Sequence, residues 1–153
     1  MPFFHLSTTW EIPASIESCW FSILEVETWP NWWKYVNKVI ELEAGDKSGI
    51  NNIHQYDWST CLPYHLVFNL RVTRLEPFKL ITFDAQGDLK GNGCCIFTQK
   101  NNCTYIQFDW NVETRKPWMS FAATIATPIF EWNHRRVMKS GEQSLIRRLN
   151  STP

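Results

Sequence analysis

His134 is the residue in this 153-residue chain best placed for acid–base chemistry. It lies four positions from both Phe130 and Met138, which puts it on the apolar face of a helical pattern. There it can be a polar anchor or an acid/base at the inner end of a cavity. It can equally be a core histidine bonded to a backbone carbonyl or to a tyrosine. His54, Tyr56 and Trp58 alternate along a strand-like run and therefore share a face. One register decides all three. Large rings prefer burial, so an inward face is expected, with two polar tips and an indole inside. Phe108 and Trp110 alternate with polar residues and are expected inward as well, as core or as pocket lining. Asp84 reads more readily as a solvated acid than as a buried one.

Other chemistries find little support. Cys94 and Cys95 are adjacent, so a strand sends them to opposite faces. No Cys/His cluster has zinc spacing, and no metal site is expected. The five cysteines include no C-x-x-C pair and read as thiols. There is no G-x-S-x-G, no H-E-x-x-H and no glycine-rich nucleotide loop. The glycine-rich stretch from Gly87 to Gly93 lies between strands, without the helix N-terminus that a phosphate cradle needs. It reads as a turn and a bulged strand. No catalytic residue can be assigned on this basis, and no cofactor is expected.

The elements that must position these side chains follow from periodicity. Phe3–Ile12 reads as a strand. Pro13-Ala14-Ser15 opens a helix with Ser15 as N-cap, and Trp29-Pro30-Asn31 interrupts it. Strands are expected over Val36–Ala44, Ile50–Ser59, His65–Glu76, Lys79–Gln86, Leu89–Lys100 and Cys103–Thr114. Close spacing and turn residues imply an antiparallel sheet. A long helix from Trp118 to Leu149 follows, interrupted by Pro128, with Met119, Ala122, Ala123, Ala126, Phe130 and His134 on one face. That face must be buried against the sheet, and the small alanines would leave a hollow. Trp29, Trp32, Trp33 and Tyr35 form either a lid or membrane-touching patch, or a cap on the core.

Composition sets the outer limits. Lysine and arginine number 15, as do aspartate and glutamate, so no basic footprint calls for nucleic acid. Hydrophobic residues at 44% exclude disorder. Nine Trp, ten Phe and four Tyr exceed what a small core needs, so rings either build the core or line something. No run is long enough to span a membrane and no signal peptide is visible, so a cytoplasmic protein is expected. The length suits one domain over residues 1–153.

This order of elements carries several recognisable stretches. They are Trp10-Glu11-Ile12-Pro13-Ala14, Trp29-Pro30-Asn31-Trp32-Trp33, Leu62-Pro63-Tyr64, Gly87 to Gly93, Asp109-Trp110-Asn111-Val112, Lys116-Pro117-Trp118-Met119, and Trp132-Asn133-His134 leading to Val137-Met138 and Gly141. With them the chain resembles the START-like (SRPBCC) superfamily, in particular bacterial polyketide cyclase/dehydrase-like proteins, from about residue 8 to residue 149. Where relatives often carry a tryptophan, Cys94-Cys95 stand here. The resemblance implies an α+β helix-grip fold: about seven antiparallel strands curved around a long C-terminal helix, with two short helices after the first strand. It also implies a deep apolar cavity between sheet and helix. Members bind lipids, sterols, quinones or plant hormones, and some cyclise or aromatise polyketides; fold alone does not choose among these.

The expected function is therefore binding of a hydrophobic small molecule, lipid, quinone or polyketide-like, by a monomer or dimer that touches membranes at most transiently. The expected lining is His54, Tyr56, Trp58, Phe68, Phe108, Trp110, Met119, Ala122, Ala126, Phe130 and His134. A cyclase or aromatase acting on the bound molecule, or a protein-interaction module, are the alternatives.

Overall fold

Alternation in the first strand, β1 (Phe3–Ile12), sends Phe4, Leu6, Trp10 and Ile12 to one buried face and leaves the residues between them exposed or half-buried. The computed structural model describes residues 3–60, 65–114 and 123–150, with the backbone alone for 123–127. Helix α1 (Ile16–Leu24) starts at Ser15, whose extended backbone and hydroxyl, accepting from the Ser18 amide, make the expected N-cap. A single 3-10 turn (Val26–Thr28) leads into the short α2 (Trp29–Trp32), with Pro30 in its first turn, where a missing N–H costs nothing. Six strands follow: β2 (Val36–Glu43), β3 (Ile53–Ser59), β4 (His65–Glu76), β5 (Leu80–Gly87), β6 (Leu89–Lys100) and β7 (Cys103–Thr114). The long helix α3 (Ala123–Asn150), containing Pro128, completes the described chain.

The seven strands form one sheet in the order β1-β7-β6-β5-β4-β3-β2, and every pairing is antiparallel. With the short helices after β1 and the long helix at the end, this is the expected helix-grip α+β architecture. Two strands begin later than their apolar patterns suggest. The Asp46 carboxylate accepts from the Ser48 and Ile50 amides, and Asn51 is left-handed at φ 68°. That turn delays β3 to Ile53. Likewise Phe78, at φ 64°, turns the chain before β5 begins at Leu80. The part of the long helix expected from Trp118 to Ala122 lies outside the described residues.

Tryptophan rings join the helix to the sheet. The Trp33 indole N–H donates to the Val137 carbonyl of α3 at 3.0 Å. Trp10 packs against Trp33 with ring centroids 5.2 Å apart, and both are only 1% exposed. Gly141 permits this approach. A Cβ there would lie 2.5 Å from the Trp33 ring and 2.7 Å from the Trp10 ring. At the far end of β1, Phe4 stacks on Phe130 of α3 with centroids 4.2 Å apart. The edge of β1 is also held to the helix: the Glu142 carboxylate accepts from the Glu11 amide at 2.8 Å.

Candidate functional site

Inside the curve of the sheet, alternation places Leu66, Phe68 and Leu70 of β4, Ile81 and Phe83 of β5, and Ile106, Phe108, Trp110 and Val112 of β7 among the buried residues. The β3 face carrying His54, Tyr56 and Trp58 points the same way: Tyr56 and Trp58 are buried, and the His54 side chain is 12% exposed. Among the described residues two cavities lie against this face. The first cavity, about 60 Å³, is lined among the described residues by Trp58, Phe68, Trp110, Phe130, Asn133 and His134, with aliphatic neighbours and a rim at Ser59 and Thr60. The second, about 70 Å³, is lined by Trp29, Asn52, His54, Tyr56, Phe83 and Cys95, again with aliphatic neighbours.

The partition is two rings thick. Tyr56 on the second cavity stacks on Phe68 of the first, centroids 5.6 Å apart. Phe83 meets Trp110 edge-on at 5.0 Å, and Trp29 meets Trp58 at 6.4 Å. Gly93 explains the second contact. It pairs with Phe83 on one side and with Trp110 on the other, so those two rings are a full strand apart. A Cβ on Gly93 would lie 2.7 Å from the Phe83 ring. Without one, the two rings close over the intervening backbone. Among the described residues these rings leave the two small cavities of about 60 and 70 Å³ on either side of them.

The predicted lining residues thus separate. Trp58, Phe68, Trp110, Phe130 and His134 meet around the first cavity; His54 and Tyr56 border the second. Phe108 borders neither and packs against Trp10 at 4.6 Å. Met119 and Ala122 lie outside the described residues, as does the side chain of Ala126. Of the clustered tryptophans, Trp29 and Trp33 are core, while Trp32 and Tyr35 are half-buried against it. Sequence reasoning passed over Asn133, buried at 4% exposure and lining the first cavity. Its signal is a spacing of three from Phe130 and four from Val137, the same face that His134 shares.

Polar groups around the first cavity are few and specific. Burial, reinforced by the Arg135 charge, lowers the His134 pKa to about 4, so its imidazole is neutral at physiological pH. Its Nε2 lies 3.4 Å from the Thr8 hydroxyl, a long and weak contact. The Trp58 indole N–H is buried and has no partner among the described residues. Around the second cavity, burial pushes the Tyr56 phenol and the Cys95 thiol far above their ordinary values. Cys95 is therefore a small apolar lining group, and Cys94 lies half-buried on the other face. Asp84 is half-exposed and pairs with Arg71 at 2.9 Å, which makes it a surface ion pair.

No family model matches the sequence, and neither does any curated protein. Solved structures do match its fold. A START superfamily protein from Mycobacterium smegmatis superposes with a TM-score of 0.76 at 20% identity, over 95% of this chain and 97% of that one. The ZhuI aromatase/cyclase from Streptomyces sp. R1128 gives a TM-score of 0.77 at 13% identity, over 95% and 93%. The di-domain aromatase/cyclase BexL, from the BE-7585A biosynthetic pathway, gives 0.77 at 11% identity, over 99% of this chain and 51% of that one. The chain has the START-like helix-grip fold that these aromatase/cyclases also have.

Proposed function

We propose that the protein binds a hydrophobic small molecule carrying a carbonyl oxygen, such as a quinone, a polyketide-like chain or an acyl lipid. One end of the molecule sits in the first cavity, and it enters past Ser59 and Thr60. The observation that carries this reading is the Trp58 indole N–H, buried without a partner among the described residues at an apolar cavity. An unsatisfied buried donor costs on the order of 1–3 kcal/mol. A ligand oxygen would recover that cost. Asn133 and the neutral His134 line the same cavity and orient the same end. The surrounding apolar rings supply affinity at about 25 cal/mol per Å² buried, before ordering costs. Fold neighbours whose names denote aromatase/cyclases support a substrate class of this kind.

The test begins with native mass spectrometry of gently purified protein, followed by extraction under denaturing conditions. A mass excess that disappears on denaturation, with a carbonyl-bearing apolar compound in the extract, is the expected result. Trp58→Phe keeps an apolar aromatic ring but removes the N–H together with the pyrrole half of the indole. It should weaken that compound's binding at least about five- to tenfold, the loss of one hydrogen bond of roughly 1–1.5 kcal/mol plus the lost ring contact. Absence of excess mass, together with no uptake from lipid or quinone extracts, refutes the reading. Unchanged affinity in Trp58→Phe refutes the role of the indole.

The neutral His134 favours a second reading, in which the bound molecule also reacts. A neutral imidazole can donate its ring N–H to a ligand carbonyl oxygen and so acidify the carbon beside it, while the pKa of about 4 makes the ring itself a weak base. His134→Gln separates the two readings. A carrier retains its function as long as binding persists, whereas an enzyme loses turnover while still binding.

A further inference from the structure

We propose that Glu27, Glu41 and His54 bind a divalent first-row transition-metal ion, zinc foremost, at the rim of the second cavity. The three residues come from different elements. Glu41 and His54 are direct partners in the β2–β3 ladder, and Glu27 stands on the 3-10 turn after α1. One ligand atom from each lies within 4.8 Å of the other two, and His54 Nε2 is 3.4 Å from Glu27 Oε1. Around a tetrahedral ion with bonds near 2.0–2.1 Å, ligand atoms sit about 3.3–3.4 Å apart. The His54–Glu27 pair already has that spacing. Glu41 is exposed, so its carboxylate can swing in without disturbing the core.

The donor set narrows the ion. One imidazole and two carboxylates form a mixed nitrogen and oxygen site. The imidazole disfavours calcium and magnesium, and the absence of thiolate from the set disfavours Cu(I). Two carboxylates converge on a histidine whose side chain is only 12% exposed. Among the described residues no lysine or arginine forms an ion pair with either glutamate. A dication would balance the pair. Three protein ligands also leave a coordination position open. His54 borders the second cavity beside Asn52 and Tyr56, so that position can take water or an oxygen of a molecule held there. This site is independent of the ligand reading for the first cavity.

The experiment uses the full chain, stripped with a chelator that is then removed by dialysis. Equilibrium dialysis against zinc should give one ion per chain at micromolar or lower free metal. Cobalt titration should give visible d–d bands without the intense near-ultraviolet absorption of cobalt–thiolate bonds. Glu27→Gln and Glu41→Gln change exposed side chains and should leave the melting temperature of the stripped protein intact. Each should weaken binding at least as much as losing the hydrogen-bond partner behind a metal ligand does, roughly 10–100-fold. His54→Ala should abolish stoichiometric binding; if that variant does not fold, the two glutamate variants decide. Absence of one-to-one binding at micromolar zinc overturns the proposal. So does binding that survives both glutamate substitutions, or thiolate bands that vanish in Cys94→Ser.

Discussion

Phe68→Ala removes one layer of the wall between the two cavities. Phe68 is 2% exposed, stacks on Tyr56 and Trp58 at 5.6 and 5.8 Å, and meets Trp110 at 6.2 Å. Truncating so well-packed a ring costs about 3–5 kcal/mol in lost transfer energy and residual cavity. Total stability for such a domain is on the order of 5–15 kcal/mol, so the variant should still fold. For a chain of this length the melting temperature falls roughly 2–4 °C per kcal/mol, or about 6–20 °C here. The variant should also gain a property. The wild-type cavities, about 60 and 70 Å³, are each less than half the roughly 150 Å³ at which an apolar cavity is known to admit benzene. Joined through the space the ring vacates, they pass that threshold. Urea melts with and without saturating benzene should therefore show stabilisation of Phe68→Ala, by about 1.4 kcal/mol at ten times the dissociation constant. The wild-type protein should gain clearly less. A stability loss under about 1 kcal/mol, or equal stabilisation of both proteins, would show that Phe68 does not partition the interior.

Two further predictions concern the long helix. The His134 pKa lies near 4 in the folded protein, against about 6.5 when unfolded, so the unfolded chain binds more protons between those values. The stability contributed by the neutral ring is present above pH 6.5 and is lost as the pH falls towards 4. The full shift corresponds to about 3 kcal/mol, and partial exposure of the ring reduces this to on the order of 2. His134→Gln should flatten the urea-melt stability profile over that window, and an unchanged slope would refute the assignment. Gly141→Ala should destabilise the protein even though alanine is favoured over glycine by about 1 kcal/mol inside a helix. The new methyl would meet the Trp33 and Trp10 rings at 2.5–2.7 Å, and overpacking of that kind typically costs about 1–3 kcal/mol. A raised melting temperature in this variant would mean that those rings move aside freely.

Much of the fold was legible because it rests on local periodicity. The alternation of Leu66, Phe68 and Leu70, or of Ile106, Phe108 and Trp110, states which face is buried without reference to any other strand. Ser15 announces its helix by residue type and position. The inward face of His54, Tyr56 and Trp58 follows from ring burial alone. The division of the interior was not legible. It depends on Phe83 and Trp110 meeting across a strand over Gly93, which combines two registers with a missing side chain. The convergence of Glu27 and Glu41 on His54 was hidden for the same reason. Their spacing along the chain fits no metal motif; a cross-strand pair and a helical turn bring them together.

The chain of tryptophans has an optical consequence. Trp10, Trp29, Trp32, Trp33 and Trp58 are linked by centroid separations of 5.0 to 6.4 Å, from the near-parallel pair Trp32–Trp33 to the edge-on pair Trp33–Trp58. Transition dipoles that close couple strongly, because the interaction falls with the cube of distance. These indoles should therefore absorb and emit collectively, with exciton signals in circular dichroism superimposed on the backbone spectrum. Replacing Trp33, the ring shared by four of these contacts, should change that spectrum by far more than the one-ninth that independent chromophores would predict.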